Sequence, residues 1–499
     1  MTASDRVPVI IGVGQVEDRQ AADRAPFSAL DLMQQAILAA ARDAGAENLL
    51  PRVGWIGVVN ALTWDKRPDP IHPYLIERLR LSPAHAETSM TQSGTYPVRY
   101  LNEAANLIAA GEHDLAVIVG GECMRSMTRA ARAGGAPSSG TEMIRTYRNA
   151  GETDLARRYS LLTPVDIYPL YEQATRHAWG QSQAEATAET ASIWEANARV
   201  AAANPHAWLR AGWSGQRITT PAADNPMLTY PYTKSMVANS SVNQGAAILL
   251  ASAACARAFG IAESRFVSVG YGAGADESPH NLMRANFSAS PAMAASLTTT
   301  LELNGITDGE LDLVELYSCF PCIPKMARRV IGWPVSRPSS VYGGLTFGGG
   351  PIGNCMSHAV AAMTIALRNG AQAGLIFANG GFATGNHSIV LRRGLQCARE
   401  PLSYDAQALA DRLRGPIPPM LEGYEGPAQL ETFTAPYADG RPRYANVLAL
   451  TPSGSRCLCR VPGTDAPTLA WLTGGNDVVG TLGRVETGDD GFSVWRAAA

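Results

Sequence analysis

"LIAAGEHDLAVIVGGE" (Leu107–Glu122) and "ALRNGAQAGLIFANGGF" (Ala366–Phe382) decide how this chain is divided. Each is a helix end, a glycine, a short link, an apolar strand and a Gly-Gly turn. The helix before each also follows a Gly and a Pro, in "SGTYP" for one and "GGGPIGN" for the other. A unit repeated in the same order predicts a duplicated α/β domain rather than one long sheet.

Strand-like runs alternate with helical patterns around both copies. "VPVIIGVGQ", "SALDLMQQAILAAARDAG", "VGWIGVVNAL" and "PVRYLNEAANLIAAG" surround the first. "RFVSVGYGAG", a helix near Ala289 to Leu303, "LDLVELYSCF", a helix from about Pro321 and "NCMSHAVAAMTIALRNG" lead to the second. Such alternation predicts mainly parallel pairing with helices on the sheet faces. From Cys123 to Tyr232 the pattern becomes polar, Arg- and Ala-rich helix with Pro breaks, a large excursion of the kind that builds binding sites. "GAAILLASAACARAFG", from Gly245, reads as the most apolar helix and meets Arg257 too soon to span a bilayer. Beyond Arg399 a linker with one short helix gives way to strand-like alternation around Gly, Asp and Pro turns, which predicts a small β-barrel. The expected division is 1–122 with 233–252 as an N-terminal α/β domain, 123–232 as a loop domain, 253–398 as a C-terminal α/β domain, and 399–499 as an additional linker and β domain.

The 499 residues are 46% hydrophobic and 17% charged, with a formal net charge of -3. That is the composition of a soluble globular chain, with no global attraction to nucleic acid or anionic membrane. The mixed charge and few aromatics of the tail give little for base stacking, so no nucleic-acid partner is expected. "MTASDRVPVIIGVGQ" lacks a signal-peptide pattern, and eight cysteines without a regular framework suit a reducing compartment. A cytoplasmic protein with no membrane span is the expectation.

"VELYSCFPCIP" (Val314–Pro324) holds two cysteines where an apolar strand gives way to a helix. A thioredoxin-like pair belongs in one short βαβ domain, which this is not. A zinc site needs further ligands, and Cys457 and Cys459 are expected on opposite faces of a strand. No metal site is predicted. Cys322 reads as a packed small hydrophobe. Cys319 stands at the end of a buried parallel strand, where open α/β sheets present side chains to ligands, and both a packed and a functional thiol fit there.

"GGLTFGGGPIGN" (Gly343–Asn354) is either a tight strand-to-helix connection or a turn whose amides approach a ligand at a helix N-terminus. No Gly-Lys-Ser/Thr follows, so it is not a phosphate loop. Cys355 and His358 fall in the first turn of the next helix. Cys355 is a second candidate for a depressed thiol pKa, and His358 is either functional or a satisfied core histidine. His387, in "GGFATGNHSIV", closes a turn before the last strand of the domain and is either a general base or a solvated loop residue.

These segments resemble the thiolase superfamily. "NSSVNQGAA" is similar to the thiolase segment Asn-Ala-Ser-Gly-Leu-Asn-Asp-Gly-Ala-Ala, "GGLTFGGGP" to the Gly-His-Pro turn, and "LYSCF" to the His-Asp-Cys-Phe segment of sterol-carrier-protein-type thiolases. With "YSCFP", "ANGGF" and the extra tail, the chain most resembles the subgroup called thiolase-like protein type 1. The resemblance runs from about Val7 to Arg393, and the tail matches the subgroup's additional domain. It implies two mixed sheets with helices in layers, a helical loop domain and a small barrel-like domain.

The departures are specific. The cysteine of the thiolase Cys-Gly-Ser-Gly turn is absent from "TQSGTYPVRY", where Ser93 and Thr95 stand without a visible activating base. Gly350 replaces the histidine of Gly-His-Pro, and about Ala378 falls the position of the acid/base cysteine. Tyr317 and Ser318 replace the His-Asp pair. Cys319 remains, an acid/base in the sterol-carrier-protein-type pattern.

The resemblance therefore implies an acyl-CoA enzyme of acetyl-CoA acetyltransferase type, acting on the carbon–carbon bond beside a thioester in lipid metabolism. Cys319 is its acid/base or nucleophile, His387 or His358 its proton partner, the Gly350 turn a source of backbone donors, and Ser240 and Ser241 line the pantetheine. No permanently bound cofactor is expected; coenzyme A or acyl-CoA enters as substrate. A retro-aldol lyase, which needs no acyl-enzyme, and a non-catalytic acyl-CoA or protein binder are the alternatives. A homodimer through the edge of the N-terminal sheet, or a separate barrel-type partner, completes the expectation.

Overall fold

The computed structural model describes residues 3–19, 25–133, 153–396, 400–488 and 491–498. The stretch 134–152 of the expected loop domain lies outside the described residues.

The first α/β half contains β1 (Pro8–Glu17), β2 (Trp55–Val58), β3 (His85–Thr88) and β4 (Leu115–Glu122). After the excursion, which carries a short ribbon of β5 (Met227–Thr229) and β6 (Tyr232–Thr233), comes β7 (Gln244–Ser252). The second half contains β8 (Val267–Asp276), β9 (Leu313–Leu316), β10 (Ala373–Gly380) and β11 (Gly385–Arg393). The strand order is β3-β2-β4-β7-β1-β8-β11-β10-β9.

The duplication is visible in the pairing. β2 and β4 are parallel and β4, β7 and β1 antiparallel; likewise β9 and β10 are parallel and β10, β11 and β8 antiparallel. The two expected sheets are hydrogen-bonded to each other, however, through Val9 with Ser268 and Ile10 with Val267, so nine strands form one sheet. β1 and β8 are the corresponding edges of the two halves, and pairing them leaves neither edge open.

The stretch read as the most apolar helix is mostly β7, a wholly buried strand between β4 and β1, followed by the short helix Ala253–Ala258. A strand buried on both faces has no alternation to betray it.

Two central helices, Tyr96–Ala110 and Cys355–Arg368, touch each other and strands of both halves. Both end at glycines with positive φ, Gly111 at 77° and Gly370 at 133°, the two glycines of the repeated unit. Neither has a side-chain cap at its N-terminus, so the first-turn amides of both are left without that partner. Outside the sheet, Ala29–Ala44 covers β1, β4 and β7, fixed by a Ser28–Asp31 capping box and by Gly45 in the left-handed region. Pro291–Leu303 covers β8 and β11 in the second half.

The tail is a closed five-stranded barrel. β13 (Gly426–Thr434), β16 (Ala445–Leu450), β17 (Arg456–Val461), β18 (Leu482–Thr487) and β19 (Ser493–Ala497) run β17-β16-β13-β18-β19 and close where Arg460 pairs with Val494. β12 (Met420–Leu421) extends it beside β17, and β14 (Tyr437–Ala438) and β15 (Arg441–Pro442) form a small ribbon. Phe433, Val447, Val485 and Trp495 pack its core. Cys457 and Cys459 do not lie on opposite faces: both are buried and their side chains hydrogen-bond each other, as the two-residue period of a strand requires.

The excursion packs between barrel and sheet. Its helix Pro164–Ala178 lies against β13, where Thr432 Oγ1 donates to Leu170 O at 2.6 Å, and Asn446 Nδ2 donates to Tyr159 O at 2.8 Å. Among the described residues no helix is long and apolar enough to cross a membrane.

Candidate active site at two helix N-termini

The N-termini of the central helices meet. A Cβ on Gly353, just before one helix, would stand 2.9 Å from the carbonyl oxygen of Gln92, just before the other. The ends of β9 and β10 close the same space. Tyr317 N donates to Phe377 O at 3.1 Å, the missing side chain of Gly380 leaves room for Ser93 Oγ, and that of Gly94 leaves room for the Tyr317 ring. Ser93 Oγ lies 2.8 Å from Thr95 Oγ1. Tyr317 hydrogen-bonds Cys355, and Cys319 hydrogen-bonds the hydroxyl of Tyr168.

Burial governs both thiols. It pushes Cys319 up to about 12, more than the Tyr168 hydrogen bond lowers it, and it pushes Cys355 up to about 12 in the same way. The depressed pKa expected for Cys355 is therefore overturned. The helix N-terminus favours a thiolate, but desolvation of a fully enclosed thiol outweighs it. At neutral pH burial thus keeps each thiol protonated.

The loop-domain helix Pro164–Ala178 roofs this space. Tyr168 stacks on Phe320 with ring centroids 4.4 Å apart and donates to Gly381 O at 3.0 Å, while Tyr171 donates to Phe382 O at 3.1 Å. Arg284, 2% exposed, donates to Tyr171 Oη at 2.9 Å, Thr384 Oγ1 at 3.1 Å and Phe382 O at 3.3 Å. Below, a wholly buried ion pair ties the same helix to the one that follows Cys319. Lys325 Nζ lies 2.6 Å from Glu172 Oε1, and Tyr232 donates to Glu172 Oε2 at 2.8 Å. Cys322 is packed, 0% exposed, with its thiol 3.7 Å from Tyr168 O.

The Gly-rich turn is anchored from β9. Ser340 Oγ accepts from Gly343 N and Gly344 N and donates to Glu315 Oε2 at 2.8 Å. Burial raises Glu315 to about 8, against the hydrogen bonds from Val341 and Ser340.

The sequence-predicted residues separate. Gly350 N donates to Asn239 O at 2.9 Å, so its amide is committed to the loop that bears Ser240 and Ser241, and both serines are exposed. His387 is on β11 rather than on a solvated turn. It is 4% exposed, in register with Ala378, and its Nε2 lies 3.2 Å from Asn102 Nδ2 on a central helix. His358 is 1% exposed, with Nδ1 2.8 Å from Gln15 Oε1 on β1. Burial, with the charge of Arg99 for His387 and of His206 for His358, lowers each ring to about 3. Cys319 alone of the three named catalytic candidates is joined to the roof.

Sequence reasoning missed Tyr168, Tyr171 and Arg284. "IYPLY" (Ile167–Tyr171) carries the only available signal, two tyrosines three apart that share a helix face. Nothing local says what they meet more than 200 residues later.

A nine-stranded sheet made of two like halves, two central helices with their N-termini converging, and an excursion after β4 that roofs the convergence define the thiolase fold, and this chain has it. No protein-family model and no curated protein matches the sequence. Among solved structures the chain is similar over its whole length to a monomeric SCP2-thiolase-like protein type 1 from Mycobacterium smegmatis: 27% identity, TM-score 0.82, 99% of each chain covered. A human mitochondrial 3-ketoacyl-CoA thiolase in complex with CoA has the same fold at 14% identity and TM-score 0.57, covering 78% of this chain and 98% of its own. An Ltp2-ChsH2(DUF35) aldolase matches at 15% identity and TM-score 0.57, covering 79% of this chain and 99% of its own. The thiolase-like protein type 1 match extends through the barrel.

Proposed function

We propose that this chain is an enzyme acting on the carbon–carbon bond beside an acyl-CoA thioester. The observation that carries this reading is the enclosure of Cys319 and Tyr317 where two uncapped helix N-termini converge. Chemistry beside a thioester places negative charge on its carbonyl oxygen, and oriented backbone amides in a dry site stabilise such charge. A CoA-complexed thiolase among the fold neighbours supports the substrate class.

A protonated Cys319 suits the cleaving direction. When the carbon–carbon bond breaks, its electron pair stays on the carbon next to the thioester, and the Cys319 thiol delivers the proton there. The hydroxyl proton leaves as that bond breaks and passes to the Cys319 sulfur in the same relay, so the thiol is restored and neither product is left charged. His387 and His358, paired with Asn102 and Gln15, would relay protons only through other groups. Ser240 and Ser241, exposed beside the Gly350 turn, are our proposed pantetheine contacts.

This route needs no acyl-enzyme, which agrees with the absence of a cysteine at the Ser93 turn. The reading is tested by intact-protein mass spectrometry after mixing with a short acyl-CoA, followed by turnover of a 3-hydroxyacyl-CoA with and without free CoA. Turnover without free CoA, lost in Cys319→Ala, is the expected result. An acyl mass on Ser93 or Cys319 would instead establish acyl transfer, and turnover unchanged in Cys319→Ala would sink the assignment.

A further inference from the structure

We infer that the C-terminal barrel is a working part of the site's roof, and that Arg456 and Arg284 are the positioning residues that connect them. Arg456, on β17, is 0% exposed. Its guanidinium is held on one side by Glu431 of β13, with Nε and Nη2 each 2.6 Å from a carboxylate oxygen. On the other side it leaves the barrel. Nη1 donates to Leu282 O at 3.0 Å and Arg284 O at 2.7 Å, and Nη2 to Ala285 O at 3.4 Å.

These carbonyls belong to the segment that presents Arg284. The Arg284 side chain turns the other way, donating to Ser278 O at 2.6 Å and His280 O at 3.1 Å as well as to Tyr171, Thr384 and Phe382. Phe287 fills the gap between the two arginines' targets. It meets the Tyr171 ring edge-on at 5.3 Å and carries the Arg456 guanidinium 5.3 Å from its own centroid.

Each link is specific in kind. Only a planar fork satisfies a carboxylate and several carbonyls at once, so lysine at either position keeps the charge and loses the grip. Tyr171 and Tyr168 connect the gripped turn to Cys319: they hold Phe382 O and Gly381 O, and Tyr168 stacks on Phe320 and also bonds the thiol. Loosening Arg456 therefore frees the roof without touching a group that bonds Cys319. The inference rests on Cys319 marking the site proposed above, but its readout needs no turnover.

The experiment is thiol labelling of the intact chain with iodoacetamide, quantified by peptide mapping. It compares the native protein with Arg456→Lys and Arg284→Lys. Cys255, outside the site, is the reference, and Cys457, in the barrel core, reports barrel unfolding. The expected result is labelling of Cys319 about tenfold faster in both variants, with Cys255 and Cys457 unchanged. Acceleration in Arg284→Lys but not in Arg456→Lys would overturn the barrel's part, and no acceleration in either would overturn the whole chain of contacts. Faster labelling of Cys457 along with Cys319 would also overturn it, since the arginines would then serve only to keep the barrel folded. Failure here leaves the acyl-CoA reading intact, and failure of that reading leaves this labelling result unaffected.

Discussion

The two halves of the sheet solve one packing problem twice and put the results to different uses. At the end of β4, the missing side chain of Gly120 is filled by Asn354, which precedes the second half's central helix. At the end of β10, the missing side chain of Gly380 is filled by Ser93, which precedes the first half's helix. Each strand thus seats the other half's helix start. Yet β4 runs on to Glu122, whose carboxylate is used up by Leu62 and Thr63, whereas β10 runs on to a turn held by two tyrosines and Arg284. The duplication supplies the backbone, and the loop domain decides which copy becomes enclosed.

If that asymmetry depends on the loop-domain helix, its buried lock is the place to break it. Lys325→Met leaves the buried Glu172 carboxyl without its cation, with the Tyr232 hydroxyl still donating to it. Stranding one member of a buried pair costs about 3–5 kcal/mol. Urea denaturation is expected to show a loss of that size, and a loss under about 1 kcal/mol would mean that the pair does not hold the roof.

The histidines test whether the halves are coupled as equals, because each joins a helix of one half to a strand of the other. Both rings have their pKa near 3 in the folded chain against the ordinary 6.5. Between those values the unfolded chain binds the extra protons, so stability is full above about pH 6.5 and falls as pH drops toward about 3. Each histidine contributes up to about 5 kcal/mol to this loss. His358→Gln and His387→Gln should each flatten the curve of denaturation midpoint against pH by a similar amount. A curve flattened by only one of them would show unequal halves.

A methyl group at the two seats sharpens the comparison further. Gly120→Ala and Gly380→Ala each overpack a helix start, at about 1–3 kcal/mol. Melting should shift alike for both, while turnover should fall more for Gly380→Ala, where the displaced residue is Ser93. The smallest effect is expected at the repeated helix ends. Gly111→Ala and Gly370→Ala each force a side chain into a positive-φ position, at about 1 kcal/mol. Gly370→Ala should be the worse of the two, because a φ of 133° lies far outside the left-handed region that other residues adopt, whereas at Gly111, with φ at 77°, the new Cβ meets only the end of the flexible Arg6 side chain.

The repeated unit was legible because its glycines have one conformational task and stand where that task arises. In the barrel, β13 and β18 were legible because one face of each is wet over much of its length, which leaves alternation in the letters. β7 and His387 were misread for the converse reason: buried on both sides, they carry neither period nor polarity that tells strand from helix or core from loop. The place of Cys319, buried just past the end of β9, was legible because a strand end is a local feature. Its companions Tyr168, Tyr171 and Arg284 were not, because their meaning lies in carbonyl oxygens of distant residues, and a carbonyl has no letter.

That last point applies with most force to the meeting of the two helix starts. The positive potential there comes from peptide amides, so side-chain substitution at the site cannot remove it. Any side chain around those helix starts can be exchanged while the backbone keeps its potential. A capacity to hold negative charge that is written in the backbone in this way outlasts the exchange of any one side chain.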